Sequence, residues 1–131
     1  MSVLTFTIPP SLWLTSNRPA TNRGYRARQV RDLQDIAVMI ARSQNARPIV
    51  GPVLVDWTVR YPKGVRTDKG EASNAQPSTK ALLDGIVRAG LIEDDGPKWV
   101  VSETFQRGPN LDRPGDHEIT LRLFSPDITP F

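Results

Sequence analysis

The chain of 131 residues, with 38% hydrophobic and 24% charged residues, has the length of one domain and the composition of a globular protein with an ordinary core. It has no cysteine, which excludes disulfides, thiolate nucleophiles and thiolate-ligated zinc, and its single histidine, His117, cannot by itself build a multi-histidine metal site. No apolar run reaches the length of a membrane span and no signal-peptide layout opens the chain, so cytoplasm is the expected compartment.

Val3 to Ile8 alternates apolar and polar residues, as a half-buried strand does, and Pro9-Pro10 ends it. Ser11 to Gly24 is rich in Pro, Asn, Thr and Arg and reads as a long ordered loop with Leu12 and Trp13 as anchors. From Arg26 to about Asn45, Val30, Leu33, Ile36, Ala37, Ile40 and Ala41 recur at helical spacing, which predicts a helix with one face on a sheet. Pro48, Gly51 and Pro52 stop it. Val53 to Tyr61 is the next strand, with Val53, Val55, Trp57, Val59 and Tyr61 on one face.

A polar loop from Pro62 to Ser73 leads to a second helix, with Ser73 or Asn74 as its N-cap, Pro77 in its first turn and Gly90 at its C-terminal end. Leu82, Leu83, Ile86, Val87 and Ala89 form its buried face, while Lys80, Asp84 and Arg88 repeat at i, i+4 on the polar side. Trp99 to Phe105 and Glu118 to Phe124 read as two strands of a hairpin with a long loop, Arg107 to Gly115, between them. His117, just before the last strand, reads as a surface or hairpin residue, and the tail from Ser125 to Phe131 as peripheral. The order β-α-β-α-β-β predicts a single α/β or α+β domain over residues 1–131, with one mixed sheet covered by two helices.

Charge placement adds a functional hint to the net +3. Five arginines (Arg18, Arg23, Arg26, Arg28, Arg31) and no acid precede Asp32, and Arg60, Lys63, Arg66 and Lys69 form a second basic cluster. Basic segments of this kind suit an anionic polymer, although each cluster alone is equally compatible with solvated surface. Carboxylates gather at both ends of the second helix: Asp68 and Glu71 before it, Asp94 and Asp95 after it. If folding brings these ends together they could hold Mg²⁺, which needs only one or two protein carboxylates beside water and phosphate oxygens. Lys80 could pair with Asp84 along the helix, or stabilise charge on a phosphate undergoing attack.

Lys80-Ala81-Leu82-Leu83-Asp84-Gly85-Ile86, followed by Ala89-Gly90-Leu91-Ile92-Glu93-Asp94-Asp95, resembles the Lys-x-x-x-Asp-x-Leu…Ala-Gly…Asp-Asp core of the RusA family of Holliday junction resolvases. Ser16-Asn17-Arg18 is similar to that family's Ser-Asn-x-Arg element, and the loop before Asn74 to its Arg-rich acidic loop. The resemblance implies a homodimeric endodeoxyribonuclease of recombination and repair, bacterial and in some cases phage- or prophage-encoded. Such an enzyme nicks four-way DNA symmetrically with Mg²⁺, or Mn²⁺ in its place.

It also implies roles by position. Asp95, Asp94, Glu71 and Lys80 would be catalytic and Asn74 the loop asparagine; the charge pattern, rather than the resemblance, adds Asp68 to Asp95, Asp94 and Glu71 as metal ligands, and Asn17, Arg18, Arg23, Arg26, Arg28, Arg66 and Lys69 to Asn74 as DNA contacts. Two departures fall in the first half of the metal site: Glu71 stands where the family has aspartate, and Ser73 where some members have a second one. The interval from Asn74 to Lys80 is also longer, as in some phage-encoded relatives. The alternative is a non-catalytic nucleic-acid-binding protein of the same fold with a degenerate metal site.

Overall fold

A computed structural model describes residues 1–16, 22–66 and 70–126. Asn17, Arg18, Asp68 and Lys69, together with the last five residues of the tail, lie outside the described residues. The elements are β1 (Ser2–Ile8), a 3-10 turn (Pro10–Leu12), α1 (Arg23–Ser43), β2 (Val53–Arg60), a second 3-10 turn (Ala72–Ala75), α2 (Gln76–Arg88), β3 (Val100–Arg107) and β4 (His117–Phe124). Four strands form one mixed sheet, and two helices accompany it, an α+β architecture in the expected β-α-β-α-β-β order.

The strands lie in the order β1-β4-β2-β3. β4 runs antiparallel to both β1 and β2, so β1 and β2 are parallel to each other with β4 between them, while β3 pairs parallel with β2 at the edge. The expected hairpin of β3 and β4 is therefore incorrect. His117, Ile119, Leu121 and Leu123 are buried on one face of β4, which is hydrogen-bonded on both sides. β3 is mostly exposed and suits an edge. Each parallel pair is joined through a helix, as parallel strands require, and β4 splits the first such unit.

Both helices form where their periodic faces meet the sheet. α1 starts three residues before Arg26 because the Asn22 side chain accepts the Tyr25 backbone N–H at 2.9 Å and caps it. Its Leu33, Ala37 and Ala41 are buried, and Val30, Ile36 and Ile40 pack at the margin. α2 differs at its start: Ser73 and Asn74 lie in the preceding 3-10 turn, and no side chain caps Gln76, although Pro77 occupies the first turn as expected. At the other end, Leu91 N–H bonds Ile86 O at 3.2 Å and Gly90 N–H bonds Val87 O at 2.9 Å. With Gly90 at φ +82°, this is the Schellman closure.

The helices cross closely at Gly85, where a Cβ would stand 2.5 Å from Gln34 O and 2.7 Å from Ala37 Cβ. Arg88 and Asp35 pair across the same junction. One continuous core joins Leu4, Phe6 and Ile8 of β1, Val53, Val55 and Trp57 of β2, Ile119, Leu121 and Leu123 of β4, and Leu82 and Ile86 of α2. Phase-opposite residues of the sheet carry a polar network in which Arg60 pairs with Glu118 at 3.2 Å and Thr104 donates to Asp56 at 2.8 Å.

His117 corrects a second expectation, for it is buried, with 9% of its surface exposed. It is the first residue of β4 and falls in phase with Ile119, so pleating turns it inward. Its ring stacks on Trp13 at 3.7 Å and meets Tyr61 edge-on at 5.0 Å. Among the described residues its Nδ1 has no hydrogen-bond partner, and burial lowers its pKa from 6.5 to about 4 against the weaker opposing charge of Asp116.

Candidate active site

Lys80 lies on the first full turn of α2, and Asp95 lies beyond the end of the same helix. From Lys80 to Gly90 the helix rises about 15 Å, a distance that the five residues after Gly90 can retrace when extended at about 3.3 Å each. The segment bends back along the helix: Leu91 and Ile92 are buried, Ile49 N–H bonds Leu91 O at 2.8 Å, and Asp95 reaches Lys80. The Schellman turn at Gly90 is what reverses the chain.

At that meeting point Lys80 Nζ bonds both Asp95 Oδ2 and, one helical turn on, Asp84 Oδ1 at 3.0 Å. The pairing with Asp84 expected along the helix is therefore present, and Asp95 is a second partner that the spacing did not indicate. Its hydrogen bond to Asp95 raises the Lys80 pKa, with Asp84 adding to the effect, so the ammonium is held charged. The same bond from Lys80 holds the Asp95 carboxyl below its usual range. Asp84 moves the other way, pushed up first by burial and then by its neighbour Asp95, while Lys80 opposes the rise.

A cleft of about 140 Å³ opens beside this triad. Gln76, Thr79, Lys80 and Leu83 of α2 form one wall, Val100 and Glu103 of β3 another, and Asp95 lies between. Glu103 escaped the sequence reading because β3 looks like an ordinary surface strand. Its register places it beside Val55 on the core side of the sheet, in phase with Phe105, and that phase was the available signal. The buried indole of Trp57 donates to Glu103 Oε2 at 2.8 Å.

The remaining predicted residues divide. Asp94 is exposed and its Oδ1 accepts the Asp95 backbone N–H at 2.8 Å, which shapes the corner that presents Asp95. Glu71 is not among the residues lining the cleft. Its carbonyl accepts the Tyr61 hydroxyl at 2.8 Å, and its charge is one of the influences raising the Tyr61 pKa, after burial. Among the described residues, no group of three or more His, Asp and Glu side chains is arranged to hold a metal ion. Asp68 lies outside the described residues.

Ser78, fully buried in α2, holds the chain after β1 by accepting Leu14 N–H at 2.8 Å and donating to Leu14 O at 2.7 Å. Ser16 N–H bonds Asn74 O at 3.0 Å, so the segment leading to Asn17 and Arg18 leaves from beside Asn74. Arg23 and Arg28 are exposed and Arg26 half-buried at the start of α1, and Arg66 is exposed after β2. No described helix is long and apolar enough to cross a membrane. No family model matches the chain, and no curated protein matches it.

Proposed function

We propose that this chain is a Mg²⁺-dependent endodeoxyribonuclease that nicks four-way DNA junctions, acting as a homodimer in the bacterial cytoplasm. The observation that carries this reading is the meeting of Lys80, near the start of α2, with Asp95, beyond its end, on one open cleft, with Asp84 bonded to the same ammonium. The donor set suits a hard ion: Asp95 is held ionised by Lys80, and a carboxylate with water and phosphate oxygens meets the ordinary needs of Mg²⁺. Bound there, such an ion would supply Lewis-acid polarisation of the phosphate and activation of water.

The protein's own groups do the rest. Lys80 offers a charged donor where negative charge builds on the phosphate oxygens, and Asp84 keeps that donor over the cleft. Asp94 orients Asp95 through the backbone. Arg23, Arg26, Arg28 and Arg66, with Arg18 and Lys69, would hold the sugar-phosphate backbone, contacts that position a duplex without reading its sequence. Junction geometry then supplies the selectivity, and a two-fold dimer matches the two-fold symmetry of paired nicks.

The position of Glu71 outside the cleft favours one runner-up, a protein of this fold that binds branched DNA without cutting it. A synthetic four-way junction incubated with the protein in Mg²⁺, Mn²⁺ or EDTA, alongside Asp95→Asn, separates the two. Cleavage is expected with either metal, abolished by EDTA and by Asp95→Asn. Tight binding with no nicks in any metal selects the runner-up, and neither binding nor nicks rejects both.

A further inference from the structure

Neither the buried His117 nor Trp13 lines the cleft, yet their rings meet where three distant stretches of chain converge. Trp13 follows β1, Tyr61 follows β2 and His117 opens β4. The Trp13 and His117 rings are nearly parallel, 7° apart with centroids at 3.7 Å, and Tyr61 stands edge-on to both. Tyr61 also donates its hydroxyl to Glu71 O at 2.8 Å, and its ring lies so close to Gly70 that a Cβ there would stand 2.8 Å from it. The stretch around Trp13 is fastened on three sides. Gln29 Nε2 of α1 donates to Ser11 O at 2.7 Å, Ser78 of α2 holds both backbone groups of Leu14, and Ser16 N–H bonds Asn74 O at 3.0 Å.

These contacts form a small core of their own. Val59, Tyr61 and Ala75 are buried together, with Trp13, Val65 and Ala72 packed against them, apart from the main core under the helices. A satellite of this kind can open while the main core stays closed. Asp116, paired with Arg113 at 3.8 Å, acts on His117 from the turn before β4, Arg107 at the end of β3 lies over the Tyr61 ring, and Glu71 acts on Tyr61. A charged imidazole donates from both nitrogens, and among the described residues the buried Nδ1 has no partner, so a proton there works against the stack.

We propose that Trp13, Tyr61 and His117 are positioning residues: they clasp the segment from Ser11 to Ser16 to the segment from Gly70 to Ala75, and this clasp sets how the adjoining arginines hold a phosphodiester backbone. The first segment leads to Arg23, Arg26 and Arg28 and is tied to their helix through Gln29; the second follows Arg66. The proposal rests on the DNA-binding part of the reading above, which the non-cutting runner-up shares. A clasp acts there by fixing in advance the spacing of cations that must meet phosphates together.

The test combines amide hydrogen exchange with junction affinity across a salt series, in EDTA so that binding is separated from nicking. It uses the full chain and its Tyr61→Phe, Trp13→Leu and His117→Phe variants. In the unmodified protein the Ser16 and Asn74 amides should open together, more readily than those of β4. Between pH 7 and 5 that opening should rise about 20-fold beyond the intrinsic chemistry, because the imidazole titrates near 4 in place and near 6.5 when released. His117→Phe keeps a ring on Trp13 and should show no such rise. Tyr61→Phe loses only the hydroxyl bond to Glu71 O, and Trp13→Leu loses the stack. In both, the slope of log affinity against log salt should shrink by about 0.9 or more, the equivalent of one phosphate contact, although no arginine has been removed.

Ser16 and Asn74 exchange that matches β4, or that rises equally with acid in His117→Phe, overturns the clasp. An unchanged salt slope in Tyr61→Phe, with Asn74 exchanging faster, overturns the positioning role and leaves the DNA-binding reading intact. No junction binding by the unmodified protein removes that reading and the positioning role with it. Should Trp13→Leu fail to fold, Tyr61→Phe decides alone.

Discussion

Lowering the pH from 7 to 5 should remove about 2 kcal/mol of folding stability through one side chain, His117. The imidazole titrates near 6.5 when free and near 4 in the fold, because its place against Trp13 and Tyr61 denies the charged form its water. The charge of Asp116 opposes this shift only in part, and Arg107, 4.8 Å over the Tyr61 ring, adds a positive charge to the same cluster. Above pH 6.5 both folded and unfolded states hold a neutral ring and the contribution vanishes. As pH falls towards 4 the unfolded chain takes up a proton that the native state refuses, so stability is lost progressively, and no further loss follows below the folded value.

At pH 5 the bias toward the unfolded state is roughly 30-fold, and RT ln 30 gives the figure above. Urea denaturation of the unmodified protein and of His117→Phe at both pH values checks it, since phenylalanine retains a ring against Trp13 and cannot titrate. The difference between the two proteins should grow by about 2 kcal/mol on acidification. A parallel loss in both, or an imidazole NMR titration centred near 6.5, would refute the reasoning. The chain has one histidine, so the signal needs no assignment.

Gly85→Ala should destabilise the fold by about 1–3 kcal/mol, because the new methyl meets the Gln34 carbonyl and Ala37 where α1 and α2 cross; a change under about 0.5 kcal/mol in urea would contradict that crossing. Ser78→Ala removes the acceptor of the buried Leu14 N–H and should cost about 1–3 kcal/mol, with faster amide exchange at Leu14 as the local signature. Lys80→Met should raise the Asp95 pKa, read by carboxyl ¹³C titration, and lower junction cleavage by about 100-fold or more. An unshifted Asp95 would show that the ammonium does not control it.

Much of this architecture is written locally. The alternation of Val53, Val55, Trp57 and Val59 required a strand with one buried face, and the spacing of Leu33, Ala37 and Ala41 required a helix packed on one side, because side-chain periods of 2 and 3.6 leave few ways to remove apolar surface from water. The segment from Lys80 to Asp95 was equally legible as a helix followed by an acidic corner. Its two ends meet because Gly90 reverses the chain, and a glycine after a periodic helix is itself a local signal.

Pairing between strands is a different kind of information. Local pattern cannot say that β4 passes over its sequence neighbour β3 to lie between β1 and β2, since β1 and β4 carry the same alternation although one is an edge strand and the other is central. The burial of His117, the placement of Glu103 in the cleft and of Glu71 beside Tyr61 all follow from that arrangement. Composition and periodicity determined the elements and the residue types available for chemistry. Only the assembled sheet decided which carboxylates share one space, because that depends on contacts between residues far apart along the chain.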